Sequence, residues 1–117
     1  MTSSGAFTPE ARAAIVARAN GRCEICGISL LLMAYEIHHR RPRGMGGSKR
    51  ASTRNAANGL MLHTACHLTA EKYRSVSYEH GWLVRQAFEP SGVPVKMHDG
   101  WWLLGTEGER LLVKLDG

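Results

Sequence analysis

Tyr35 to Gly47 reads YEIHHRRPRGMGG and places two adjacent imidazoles, His38 and His39, at the mouth of a basic, glycine-rich stretch. In an extended segment neighbouring side chains point to opposite faces. A His-His pair therefore divides into two tasks, one ring turned toward a metal and the other toward a substrate. Histidine suits both, as a neutral metal ligand and as a base whose unperturbed pKa is roughly 6.5. Taken alone, the pair reads equally well as two surface histidines in a loop. Pro42, Gly44, Gly46, Gly47 and Ser48 exclude regular structure just beyond it and let backbone come close to a ligand.

The charge around the pair has one sign. From Ile37 through Ala70 there is no Asp or Glu, while Arg40, Arg41, Arg43, Lys49, Arg50 and Arg54 all fall there. The whole chain carries a net charge of +5 and a pI of about 9.5, and the part from Leu68 onward is close to neutral. A positive field concentrated on the half with the histidines attracts polyanions, nucleic acid foremost. The alternative is a solvated basic loop kept for solubility.

At 117 residues the chain is expected to be a single small domain with a modest core, the size at which a metal often serves as a staple. Three cysteines, two of them in Cys23-Glu24-Ile25-Cys26, are too few and too odd in number for a disulfide framework. Cys23 and Cys26 read better as metal thiolates in a reducing interior, with buried small hydrophobes as the alternative. The start, MTSSGAFTPEAR, has neither a charged n-region nor an apolar h-region, so no signal peptide is expected. The longest apolar run, Leu30 to Ala34, falls far short of the ~20 residues a membrane span needs. A soluble, cytoplasmic protein with no membrane partner is the expectation.

In chain order, residues 1–7 read as a frayed tail. Thr8 can cap a helix, Pro9 fits its first position, Glu10 suits its positive end and Gly21 supplies the stop. Ser29 to Arg40 reads as a strand, 41–58 as a loop, and Leu60 to Leu62 as the return strand. A helix is predicted from near His63 to about Tyr73, with His67 and Glu71 on one face. Beyond Ser75 the stretches YEHGWLVRQ, GVPVKM, WWLLG and RLLVKL are β-like, with a hairpin turn at Asp99-Gly100. Trp82, Trp101 and Trp102 are expected to cover a small core.

Downstream of the His-His pair, NGLMLHTACH sets Asn58, His63, Cys66 and His67 at spacings of five, three and one. The order CEIC, IHHRRPRGMGG, Asn, apolar pair and HxxCH resembles the HNH nuclease family, the zinc-supported ββα-metal type found in many phage and bacterial proteins. The motifs cover Cys23 to about Glu71. The resemblance implies an α+β fold: a ββα-metal core with an N-terminal helix, a structural zinc site and a short C-terminal β region. The zinc would be held by Cys23, Cys26, His63 and Cys66, with imidazole at His63 where the commoner family pattern has Cys.

By the same resemblance the activity is metal-dependent hydrolysis of phosphodiester bonds in DNA. His39 is then the general base, His38 and His67 hold the catalytic ion, and Asn58 holds the His39-bearing loop and orients the ring. Several phage relatives place a second His where this chain has Glu71. A carboxylate there favours an oxygen-preferring ion such as Mg²⁺ or Mn²⁺. Arg40 and Arg41 would offer charge to the scissile phosphate, and Arg43, Lys49, Arg50 and Arg54 would grip its neighbours. Phage relatives often act beside the terminase, so phage packaging proteins join DNA as expected partners. The contrasting reading is a non-catalytic, zinc-stabilised DNA-binding module, or a packaging component using the fold as scaffold. A complete set of His38, His39, Asn58 and His67 argues for catalysis, since binding alone does not require it.

Overall fold

The computed structural model describes residues 6–43 and 50–114. The expected glycine-rich turn at Gly44, Gly46, Gly47 and Ser48, and the phosphate contact expected of Lys49, lie outside the described residues.

Helix α1 (Pro9–Ala19) starts as its sequence dictates: the Thr8 hydroxyl accepts from the Ala11 N–H at 3.0 Å and Pro9 takes the first position. It ends one residue earlier than Gly21 suggests, because Asn20 itself adopts the left-handed conformation at φ 52°. Only a thin stripe of α1 is buried, Ala11, Ile15 and Ala19 at successive fourth positions.

Strands β1 (Tyr35–His39) and β2 (Gly59–His63) form an antiparallel pair in which His38 faces Leu60 and His39 faces Gly59. The expected long strand from Ser29 shrinks to these five residues because β2 offers no more partner. Leu31 and Leu32, unpaired in the turn before β1, are 85% and 93% exposed. At Gly59 a side chain would run into Ile15 and meet the Phe7 ring at 3.0 Å, so the close seating of α1 on β2 requires glycine there. Helix α2 (Thr64–Lys72) follows β2 at once, and α3 (Arg74–Glu79) follows a break at Tyr73.

The second sheet is antiparallel, β3 (Val95–Met97), β4 (Gly100–Leu104) and β5 (Arg110–Leu112), in that order. Its first hairpin turns at His98-Asp99, one residue before the expected place, since Gly100 already pairs with Met97. The strand expected at YEHGWLVRQ is absent: Tyr78 and Glu79 finish α3, and Trp82 to Val84 run as a loop. Gly81 sets that course at φ 74°, where any side chain would collide with the Pro94 carbonyl. The core between the layers is built from Ile15, Leu60, Leu62, Val95 and Leu104, with Trp82 and Trp102 packed against its edge. The architecture is thus mixed helix and sheet, with three helices and two small antiparallel sheets among the described residues. No helix among them is long and apolar enough to cross a membrane.

Candidate active site

Arg40, next to the His-His pair, explains how β1 is anchored. It is fully buried, and its guanidinium donates to the carbonyls of Gly81, Ala57, Pro90 and Val93 at 2.7 to 3.0 Å. The rigid five-donor fork of arginine suits such convergence of carbonyls. Burial, and then the Arg18 charge, pulls its pKa down to about 9, which leaves it charged at neutral pH. Arg41 is equally buried and donates to the Phe88 carbonyl and the Ser52 hydroxyl. The expectation that Arg40 and Arg41 meet a phosphate is therefore corrected: both side chains are buried, Arg40 bonded to four carbonyls and Arg41 bonded to the protein's own oxygens through its Nη atoms, its buried Nε having no partner among the described residues.

Asn58, also fully buried, fixes the chain just past His39. Its Oδ1 accepts from the Arg41 N–H at 2.6 Å, and its Nδ2 donates to the carbonyls of Arg41 and Thr53. Three of the four bonds an amide can make are thus used, two on the Arg41 backbone and one that ties it to Thr53.

The two histidines diverge as alternation on a strand requires. His38 is 2% exposed, and its Nε2 donates to the Trp82 carbonyl at 2.7 Å. That bond fixes the tautomer and leaves the Nδ1 lone pair available to a metal. Burial lowers its pKa to about 4 against the opposing pull of the Trp82 bond, so the ring is neutral at physiological pH. His39 instead stacks on Phe7, ring centroids 4.0 Å apart and planes 17° from parallel. The segment expected to be a frayed tail thus ends, at Phe7, against the His39 ring.

His38, His67 and Glu71 come together, their candidate ligand atoms all within 4.8 Å of one another. His67 Nε2 lies 2.9 Å from Glu71 Oε1, about the separation of adjacent ligands on an octahedral ion with bonds of ~2.1 Å. The opposite nitrogen, Nδ1, donates to Glu36 Oε2 at 2.6 Å. This bond holds the Glu36 carboxyl below the usual carboxylate range and aims Nε2 at the cluster, the arrangement by which outer carboxylates orient metal-binding histidines. Sequence reasoning missed Glu36; its signal was its place two residues before His38 on the same strand face. The donor set fits a hard divalent ion. His38, His39, His67 and Glu71 all line one cleft of about 540 Å³, walled by Pro42, Arg43, Arg74 and Leu83.

A second cluster joins Cys23, Cys26, His63 and Cys66, again with candidate ligand atoms within 4.8 Å. Three sulfurs and an imidazole in that compass could hold a metal ion such as zinc. Burial and then the neighbouring Cys23 and Cys26 push the Cys66 thiol up, a balance that a divalent cation among them would invert. The cysteine turn is fastened to β2 by Glu24, whose N–H donates to the Met61 carbonyl and whose carboxylate accepts from the Met61 N–H. Glu24 also forms a bidentate pair with Arg18, both side chains only 2% exposed. That buried pair has no sequence signature beyond two opposite charges six residues apart.

Of the described cations expected at DNA, Arg43 lines the cleft, and exposed Arg50 donates to the Gln86 carbonyl. Arg54 lines a different hollow, with Thr8 and Thr106. Compared with protein-family models, curated proteins and solved structures, the chain matches none.

Proposed function

We propose that the chain is a metal-dependent endonuclease of the HNH type, hydrolysing phosphodiester bonds in DNA at the cleft of His38, His39, His67 and Glu71. The observation that carries this reading is the convergence of two imidazoles and a carboxylate on one point while a third imidazole, His39, lines the same cleft. A binding module has no need of that set. His38 through Nδ1, His67 through Nε2 and Glu71 would hold the ion, and Mg²⁺ or Mn²⁺ suits the mixed oxygen and imidazole donors. When bound, such an ion supplies Lewis-acid stabilisation of charge on the phosphate and on the leaving oxygen.

His39 takes the proton from the attacking water. Stacking on Phe7 occupies a face of the ring, whereas proton transfer occurs in the ring plane, so the two do not compete. Phe7 holds the plane's orientation while Asn58 holds the backbone that carries it, and positioning of this kind sets how often attack geometry is reached. With an ion bound, Glu36 would hold His67 in the tautomer that presents Nε2 to it. The Cys23, Cys26, His63 and Cys66 cluster, as a structural zinc site, would fix the end of β2 and the start of α2, and with them His67 and Glu71.

The test is supercoiled plasmid incubated with the zinc-loaded protein in Mg²⁺ or Mn²⁺, and with EDTA added briefly. Nicked or linear product that requires the added ion is expected. Retarded but uncut plasmid under every ion would leave the non-catalytic DNA-binding module as the reading.

A further inference from the structure

With Arg40 and Arg41 inside the protein, cations elsewhere must face a polyanion, and two lie outside the basic loop, Arg74 at the cleft itself and Arg85 at a hollow that adjoins it. Arg74, at the start of α3, lines the cleft. Its Nη2 donates to the Tyr78 hydroxyl at 3.0 Å, and its guanidinium carbon lies 5.6 Å from the centre of that ring. The Arg85 guanidinium lies over the same ring at 4.1 Å. Both arginines are exposed, and among the described residues neither has a carboxylate partner. Two like charges gathered on one tyrosine, neither ion-paired, repel each other, and an anion between them relieves the repulsion.

The surface continues past Tyr78. Leu83 lines both the cleft and an adjoining, mainly apolar hollow of about 330 Å³, which Tyr78, Val84, Arg85 and Phe88 help to wall. Phe88 is 56% exposed. The Arg85–Phe88 stretch is tied to the cleft wall by the Gln86 Nε2 bond to the Pro42 carbonyl at 2.9 Å, so hollow and cleft keep their relation. Cations beside an aromatic-lined hollow are the means by which proteins hold a single nucleic-acid strand: phosphates on the charges, bases on the rings.

We propose that Arg74 and Arg85, aligned on Tyr78, grip backbone phosphates of the DNA strand that runs out of the cleft, and that the hollow beside Phe88 receives an unpaired base of that strand. This rests on the endonuclease reading and narrows its substrate class to DNA with an unpaired strand: single strands, overhangs, and the stretches that supercoiling opens in a plasmid.

The experiment is a fluorescence-anisotropy salt series in buffer without divalent ions, using a labelled single-stranded 20-mer and a blunt duplex of the same sequence. It compares the parent, the double variant Arg74→Ala/Arg85→Ala, Phe88→Ala, and Lys96→Ala as an exposed cation lining neither hollow. The parent should bind the single strand more tightly than the blunt duplex. Each phosphate contact contributes roughly 0.7 to the log-log salt slope on a single strand, so the double variant should lower the slope by about 1.4 while Lys96→Ala leaves it unchanged. Phe88→Ala should weaken single-strand binding roughly tenfold with the slope intact, as loss of a stacked base does. An unchanged slope in the double variant, or equal binding of the two DNAs by the parent, would overturn the proposal. If the parent still cleaves plasmid in parallel, only the strand path fails; if it neither binds nor cleaves, the endonuclease reading fails with it.

Discussion

Replacing Arg40 by alanine separates a structural from a DNA-binding arginine. In the structure its guanidinium satisfies four carbonyls, those of Ala57, Gly81 and Pro90 in buried bonds and that of Val93 in a part-buried one. A buried acceptor left without a donor costs about 1–3 kcal/mol. Partial collapse and entry of water reduce the simple multiple, so the loss is set at about 4–6 kcal/mol, near what breaking a buried ion pair costs. Small domains have only about 5–15 kcal/mol in total. Arg40→Ala should therefore melt roughly 15–30 °C below the parent or fail to fold. Thermal and urea unfolding followed by circular dichroism, with zinc held constant, measures this, and exposed Arg43→Ala should stay within about 0.5 kcal/mol of the parent. An Arg40→Ala protein as stable as the parent to within about 1 kcal/mol, but with weakened DNA binding, would refute the reasoning and place Arg40 at a phosphate.

Other outcomes follow from the same geometry. Phe7→Ala should lower the cleavage rate about tenfold through loss of His39 positioning, while Phe7→Tyr keeps the stack and the rate; equal rates for all three proteins would remove Phe7 from the site. Glu36→Gln should weaken Mn²⁺ binding about 10- to 100-fold, read by titration calorimetry, whereas unchanged affinity would show that Glu36 does not orient His67. The pKa of His38 falls from 6.5 to about 4 on folding, so the folded state binds fewer protons than the unfolded one. Its contribution is therefore whole above pH 6.5 and lost as pH falls toward 4, about 3 kcal/mol in all. Urea midpoints without added divalent ion should show that decline, and His38→Asn should flatten it; parallel curves would contradict the burial argument. Cys66→Ser should lose bound zinc by elemental analysis and unfold at lower urea, while full zinc content would exclude Cys66 as a ligand.

What could be read from the chain was local. Thr8 and Pro9 announced the start of α1, and the spacing of Cys23, Cys26, His63 and Cys66 marked side chains that the fold gathers within one ligand compass. Alternation on a strand said that His38 and His39 divide between two faces, and four-residue spacing put His67 and Glu71 on one side of a helix; that His38 is the one beside His67 came from the family resemblance. Nonlocal geometry was not legible. A run of arginines looks the same whether its guanidiniums face solvent or converging carbonyls, and the carbonyls that enclose Arg40 come from positions 57, 81, 90 and 93. The strand expected at Ser29 failed because apolar residues mark a strand only where a partner exists, and Leu31 and Leu32 have none among the described residues. Phe7 and Glu36 went unnoticed for the same reason: their partners, His39 and His67, lie about thirty residues away along the chain.

The most direct measurement is single-turnover cleavage of plasmid DNA in saturating Mn²⁺ by the parent and by His39→Ala, with DNA binding and bound zinc determined on the same samples. Loss of a positioned general base lowers the rate about 10²- to 10⁴-fold, and the expected result is a fall of that size with binding, zinc content and melting temperature unchanged. Cleavage by His39→Ala at the parent's rate, or a parent that binds DNA without cutting it, would contradict the assignment of this cleft as a nuclease site.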